Sequence, residues 1–230
     1  MKKSIILSLT ILGIVLSIKT MAQPNTNVSG FNSIETDGPF NLMIKIDGTE
    51  SLKLDVDDDL VKNIQISVVN EKLNIRLKKN LSPSYHINKA NIYISAKSLE
   101  FIENAGSGNV ELESGIDAKE LKLVLSGSGY VKTAVKTANL VAKLTGSGSL
   151  FISGTADNAN LRLTGSGQIM GKELAAKSVS AAITGSGNIF VGANESISGN
   201  ITASGNVVYS GKAVVTGSHY TSSGRIVQKQ

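Results

Sequence analysis

Seven copies of a short Gly-Ser-Gly-type turn recur at nearly constant spacing through the last three fifths of this 230-residue chain. They read Ala105-Gly106-Ser107-Gly108, Ser126-Gly127-Ser128-Gly129, Thr145-Gly146-Ser147-Gly148, Thr164-Gly165-Ser166-Gly167, Thr184-Gly185-Ser186-Gly187, Thr202-Ala203-Ser204-Gly205 and Thr221-Ser222-Ser223-Gly224. From serine to serine the steps are 21, 19, 19, 20, 18 and 19 residues. A fixed period of this size marks a stacked-repeat architecture, in which each coil buries its apolar face only against its neighbours.

The apolar positions keep phase with the turn. Three residues after each serine stand Val110, Val131, Leu150, Ile169, Ile189, Val207 and Ile226. Three before stand Leu125, Leu144, Leu163, Ile183 and Ile201, with Asn104 and Tyr220 at the two ends. Alternation with period 2 predicts strands with one face inward, and excludes helices. A small-residue bend between two such strands, repeated every coil, predicts an all-β fold: a parallel β-solenoid of about 19-residue coils over residues 104–230. Leu144, Leu163 and Ile183 should lie one above another in its core. A looser bend near Gly115, Gly154, Gly171, Gly192 and Gly211 suggests a flattened coil with two bends.

Residues 23–103 are strand-rich but not visibly periodic. Phe40, Leu42, Ile44 and Ile46 alternate, as do Leu52, Leu54 and Val56, then Ile64, Ile66 and Val68, then Leu73, Ile75 and Leu77. Asp47-Gly48 and Asn70-Glu71 stand between runs as hairpin turns. An open solenoid end is an exposed sheet edge, so this β-rich part is expected to cap the first coil.

Residues 1–22 read as a signal peptide. Lys2-Lys3 precede an apolar stretch from Ile5 to Ile18, and Thr20-Met21-Ala22 offers small residues at a cleavage site. The stretch is short for a spanning helix, which needs about 20 residues. No later apolar run reaches that length, so no transmembrane segment is expected after cleavage. Of the 23 Lys and Arg, three leave with the leader and no acid does, which leaves 20 cations against 18 acids. The basic precursor therefore gives no reason to expect a nucleic-acid partner, and without Trp there is little to stack on bases. With no cysteine there is no disulfide, thiolate metal site or lipid-anchored cysteine.

Phe31-Asn32-Ser33-Ile34, Asp37-Gly38-Pro39-Phe40 and the run of Gly-Ser-Gly bends together resemble the GIN-domain proteins. That family is named for adhesin heads of auto-transporters. The resemblance covers nearly the whole chain after the leader. It implies a β-helical fold and export, and it supplies no catalytic residue.

Three chemistries suggested by the motifs fail on context. A glycine-rich phosphate loop needs a following helix, whereas each turn here precedes a strand. A calcium-binding roll needs Asp in its turns, and none of the seven carries one. Asp55, Asp57, Asp58 and Asp59 approximate an EF-hand start, but Leu60 occupies its glycine position and Ile66 its closing glutamate. No metal or cofactor is therefore expected, and the acidic run reads as a solvated loop.

An outward ladder remains. Thr145, Thr164, Thr184 and Thr202 share strand parity with Ser147, Ser166, Ser186 and Ser204, so stacked coils would align them into two ranks of hydroxyls. Thr and Ser also favour exposed strands and corners for purely structural reasons. As a surface, the ladder is flat, regular and uncharged, suited to a glycan or a cell-surface protein. The chain therefore reads as a non-catalytic, exported binding or structural protein, an adhesin-like module of the cell surface or periplasm. The alternative is a carbohydrate-active β-helix enzyme whose acids converge only in three dimensions. Such an enzyme needs paired carboxylates, and Asp157, Glu173 and Glu195 lie in different coils at unrelated offsets. His86 and His219 belong to no nucleophile motif.

Overall fold

The computed structural model describes residues 25–78 and 87–229. The leader over 1–22 and His86 lie outside the described residues. The N-terminal part holds β1 (Asn25–Thr26), β2 (Ser33–Asp37), β3 (Asn41–Ile46), β4 (Ser51–Val56), a one-turn helix α1 (Asp58–Val61), β5 (Ile64–Val69), β6 (Lys72–Leu77), β7 (Ala90–Ala96), β8 (Phe101–Asn104) and β9 (Asn109–Leu112). The repeats follow as β10 (Ile116–Gly127), β11 (Tyr130–Gly146), β12 (Ser149–Gly165), β13 (Gln168–Gly185), β14 (Asn188–Thr202), β15 (Val207–Ser210), β16 (Val214–Tyr220) and β17 (Ile226–Gln228). The molecule is a parallel β-solenoid of about seven turns with coils of about 19 residues.

Its register is the one the repeat demands. Leu125 pairs with Leu144, Leu144 with Leu163, Leu163 with Ile183 and Ile183 with Ile201, so side chains three residues before the serines stack in one buried column. Val131, Leu150, Ile169, Ile189 and Val207 form a second column on the opposite side of the corner. All ten are at most 1 % exposed. A coil shorter than a helix hairpin can therefore be stable, because each layer seals the one beneath it.

The corner explains the glycines. The N–H of Ser166 donates to the Gly146 carbonyl at 3.2 Å, and Ser186 donates to Gly165 at 3.1 Å, so corner sits on corner. Gly165 has φ +114°, and a Cβ there would lie 2.5 Å from the Gly146 oxygen. Both conformation and space exclude a side chain.

A second bend occurs where expected, at Gly154 with φ +101°. A third interruption, which spacing alone leaves open, is also present. Ala138, Asp157 and Lys177 drop out of the ladder pairing, and each begins two successive residues facing outward, so strand parity slips once per coil. No glycine marks it, which is why glycine spacing pointed to two bends.

The parallel ladder also continues below residue 104. β2 pairs with β8 in parallel, Ser33 opposite Phe101, and β3 pairs with β9, Asn41 opposite Asn109. Asp37-Gly38-Pro39 thus forms a corner directly beneath Ala105-Gly106-Ser107. The Asn109 side chain donates to Asn41 Oδ1, 68 residues away in sequence, at 3.1 Å. That long interval hides the period. β6 and β7 add a further parallel layer against β2 and β3. Antiparallel β5 on β6, and β4 with β1 on β7, then close this end.

Asn70-Glu71 makes the expected tight hairpin, with φ +51° and +59° between the paired β5 and β6. Asp47-Gly48 also turns, but it is not a hairpin. β7 lies between β3 and β4 and pairs with both, so the turn steps over a strand. The acidic run is tied down at Asp55 and Asp57, while Asp58 and Asp59 are exposed. Asp57 accepts backbone N–H bonds from Asn88 and Lys89 at 2.7 and 3.1 Å, and Asp55 pairs with Lys89 at 2.6 Å.

Candidate binding surface

The eight hydroxyl residues singled out from the sequence all face solvent. Thr145, Thr164, Thr184 and Thr202 are consecutive ladder partners, and all four are exposed. Ser147, Ser166, Ser186 and Ser204 are exposed at the adjoining corner. The backbone amides of Ser147, Ser166 and Ser186 hold the stack, and that of Gly205 does so in the coil of Ser204, while the serine side chains stay on the surface. Ladder spacing of about 4.8 Å sets the distance between successive hydroxyls.

At the first corner a different residue takes over. Asn104, fully buried, extends the leucine column; its side-chain amide donates to the Gly108 carbonyl at 2.7 Å and accepts from the Gly106 N–H at 3.2 Å. This satisfies the corner from inside. One ladder step below it, the buried Thr36 hydroxyl has no hydrogen-bond partner among the described residues.

A second outward rank escaped the reading of the sequence. Four residues after the serines stand Phe151, Met170, Phe190, Val208 and Val227, ladder partners along five coils. Parity sends them to solvent, yet all are apolar, and Phe151 is 40 % exposed. An apolar residue at an outward position in five successive coils was the available signal.

This rank begins in a connected cluster. The Tyr130 and Phe151 rings meet edge to face with centroids 6.1 Å apart. The Tyr130 hydroxyl donates to Glu111 at 3.2 Å, and Lys132 pairs with the same carboxylate at 3.5 Å. Burial first, and then the Glu111 charge, push the Tyr130 hydroxyl above its ordinary range. Lys172 lies over the Phe190 ring at 4.9 Å. Beside Phe151 the ladder is irregular: Phe151 and Ser153 pair with Met170 and Glu173, which leaves Gly171 and Lys172 opposite one residue. This bulge raises Lys172 and Glu173 into a lip over a cavity of about 400 Å³.

Among the described residues no group of three or more His, Cys, Asp or Glu is arranged to hold a metal. No described helix is long and apolar enough to cross a membrane.

The family described as "Putative auto-transporter adhesin, head GIN domain" matches residues 30–213. The chain belongs to this GIN-domain family. The match begins at the Gly30-Phe31 entry to β2 and ends at Ala213, so it takes in the N-terminal layers together with most of the repeats. Among solved structures, a protein of Bacteroides fragilis described as a "putative adhesin" has a TM-score of 0.84 at 26 % identity, covering 90 % of this GIN chain and 96 % of its own. One of Parabacteroides distasonis, described as a "putative lipid binding protein", has a TM-score of 0.72 at 21 % identity over 90 % and 96 %. A Parabacteroides merdae "putative adhesin" gives 0.68 at 22 % over 90 % and 95 %. Below 25 % identity such likeness speaks for the shared GIN fold alone. No match was found among curated proteins. The description of the family and that of the Bacteroides fragilis neighbour support an adhesin-like module.

Proposed function

We propose that this GIN domain is an exported, non-catalytic binding module, acting at the cell surface or in the periplasm. It presents the sides of its solenoid to a glycan or a cell-surface protein. The observation that carries this is the exposed Thr-x-Ser corner, repeated in ladder register from Thr145 to Ser204. A surface repeated every coil suits a ligand that is itself extended, since many small contacts sum through multivalency. Export is supported by the leader-like residues 1–22. The adhesin descriptions of the family and of the Bacteroides fragilis neighbour point the same way.

The test is retention under flow. Beads coated with the exported chain should be held on bacterial or epithelial cell layers, and Thr145→Lys, Thr164→Lys and Thr184→Lys made together should release them. Equal retention of both proteins would show the hydroxyl ladder to be scaffold.

A further inference from the structure

The cavity at the β13 bulge is lined by exposed Phe151 and half-buried Met170, with Lys132, Lys172 and Glu173 around them. Three independent features coincide there. The outward position is aromatic or thioether where parity calls for a polar residue. The register between β12 and β13 shifts here, and that between β13 and β14 shifts again just after Gly171; bulges of this kind re-aim side chains and are frequent beside functional sites. The resulting volume, about 400 Å³, falls within the range of small-molecule sites.

Charge decides the ligand class. Lys132 is balanced by Glu111 at 3.5 Å, and Lys172 stands beside Glu173 in sequence and at the same lip. Lys132, Lys172 and Glu173 line the cavity and Glu111 neutralises Lys132 from just outside it, so the four together leave no surplus charge for a phosphate or a uronate. An acyl chain is disfavoured for the opposite reason. Hydrocarbon over the cavity would cover Phe151 and Met170 but strip water from the ionised Lys132, Lys172 and Glu173 without replacing their hydrogen bonds. A neutral sugar meets both demands. The C–H face of a pyranose lies flat on a ring such as Phe151, while its hydroxyls bond ammonium, carboxylate and Ser153 at the edge. Met170 and Phe190 continue the same platform one and two coils on, about 4.8 Å apart.

Resting on the binding role proposed above, we infer that the Phe151–Met170–Phe190 rank with its Lys172–Glu173 lip is a site for a neutral pyranose oligosaccharide lying along the solenoid axis. The rank runs parallel to the serine rank, four residues further along each coil, so both can contact one ligand.

The experiment is methyl NMR on the full chain labelled at methionine. Met170 lines the site, and Met43 lies in the same outward rank four ladder steps away as an internal control. Cellohexaose, mannohexaose and chitohexaose are the neutral probes; hexagalacturonate and phosphatidylcholine vesicles are the charged and lipid arms. At least one neutral hexaose should shift Met170 in a saturable way and leave Met43 unmoved. Phe151→Ala should weaken that binding at least tenfold, and Phe151→Tyr should keep it. An unchanged Met43 signal in Phe151→Ala shows that the variant is folded. The inference is overturned if no neutral hexaose moves Met170, if Phe151→Ala binds as well as the parent, or if only hexagalacturonate or vesicles act. Bead retention without a Met170 response removes this site and leaves the binding module standing. A Met170 response without bead retention does the reverse.

Discussion

One residue shows how strictly the corner is built. Four corners in succession place glycine at positive φ, from Gly127 at +149° to Gly185 at +128°. The next places Ala203 there, at φ +97°. A Cβ in that region costs on the order of 1–2 kcal/mol. Ala203→Gly should therefore raise stability by about 1 kcal/mol in urea melts, an unusual direction for removing a methyl group in a strand-rich protein. A loss of stability would mean that the methyl packs usefully and the strain is absent. The departure was visible as Thr202-Ala203-Ser204-Gly205 among Gly-Ser-Gly copies, but its cost was not, because spacing carries no φ. Asn104 is a similar case. It reads as an imperfect end of the leucine column, while its amide in fact closes the first corner from within.

At the scale of the strand, β12 carries the inside and the outside side by side. Leu163 is 1 % exposed between Leu144 and Ile183, whereas Thr164 next to it faces water. Leu163→Ala should cost about 2–5 kcal/mol by opening a cavity that the layers above and below cannot fill. Thr164→Ala should cost less than about 0.5 kcal/mol. Denaturant midpoints that move equally would reverse the assignment of faces. Parity alone made this pair legible. Parity also held the signal of the Phe151 rank, but the bulge beside the cavity comes from Gly171 and Lys172 standing opposite the single residue Ile152 of β12. No single coil shows that, only the register between two.

Glu35, on β2 beside β6, is an acid whose environment makes folding sensitive to pH. Burial works against the Glu35 charge, but hydrogen bonds and attraction from Lys72 and Arg76 outweigh it and hold the carboxyl below its ordinary range. A lowered folded value means that the pair stabilises above the ordinary Glu range, about 4.3. That contribution is lost as pH falls through the folded value. The two cations are partly exposed, so about 1 kcal/mol is a fair ceiling. Urea midpoints of the parent and Glu35→Gln should be separate at pH 7 and converge as pH falls below the carboxylate range. A gap that persists in acid would assign the effect to packing instead.

For the whole molecule, the period of the serine corners carried the fold because each coil obeys the same three demands: glycine at the crowded corner, an aliphatic column within and a tolerant surface without. The β2–β3 layer obeys them too, with Gly38 beneath Gly106, but β4, α1, β5 and the β6–β7 layer intervene in the chain before β8, and the eye finds no repeat. Ligand chemistry was less legible, since an exposed threonine serves a solenoid equally well as scaffold and as contact. Multivalent contact separates these roles, because each substituted coil should remove a share of the binding. The decisive measurement is bead retention under flow across Thr164→Lys, then with Thr145→Lys added, then with Thr184→Lys as well, with a thermal melt of each. Retention is expected to fall stepwise through the series while the melting midpoints stay with the parent. Unchanged retention in the triple variant, or a loss that follows a falling midpoint, would contradict a binding surface made of stacked hydroxyl corners.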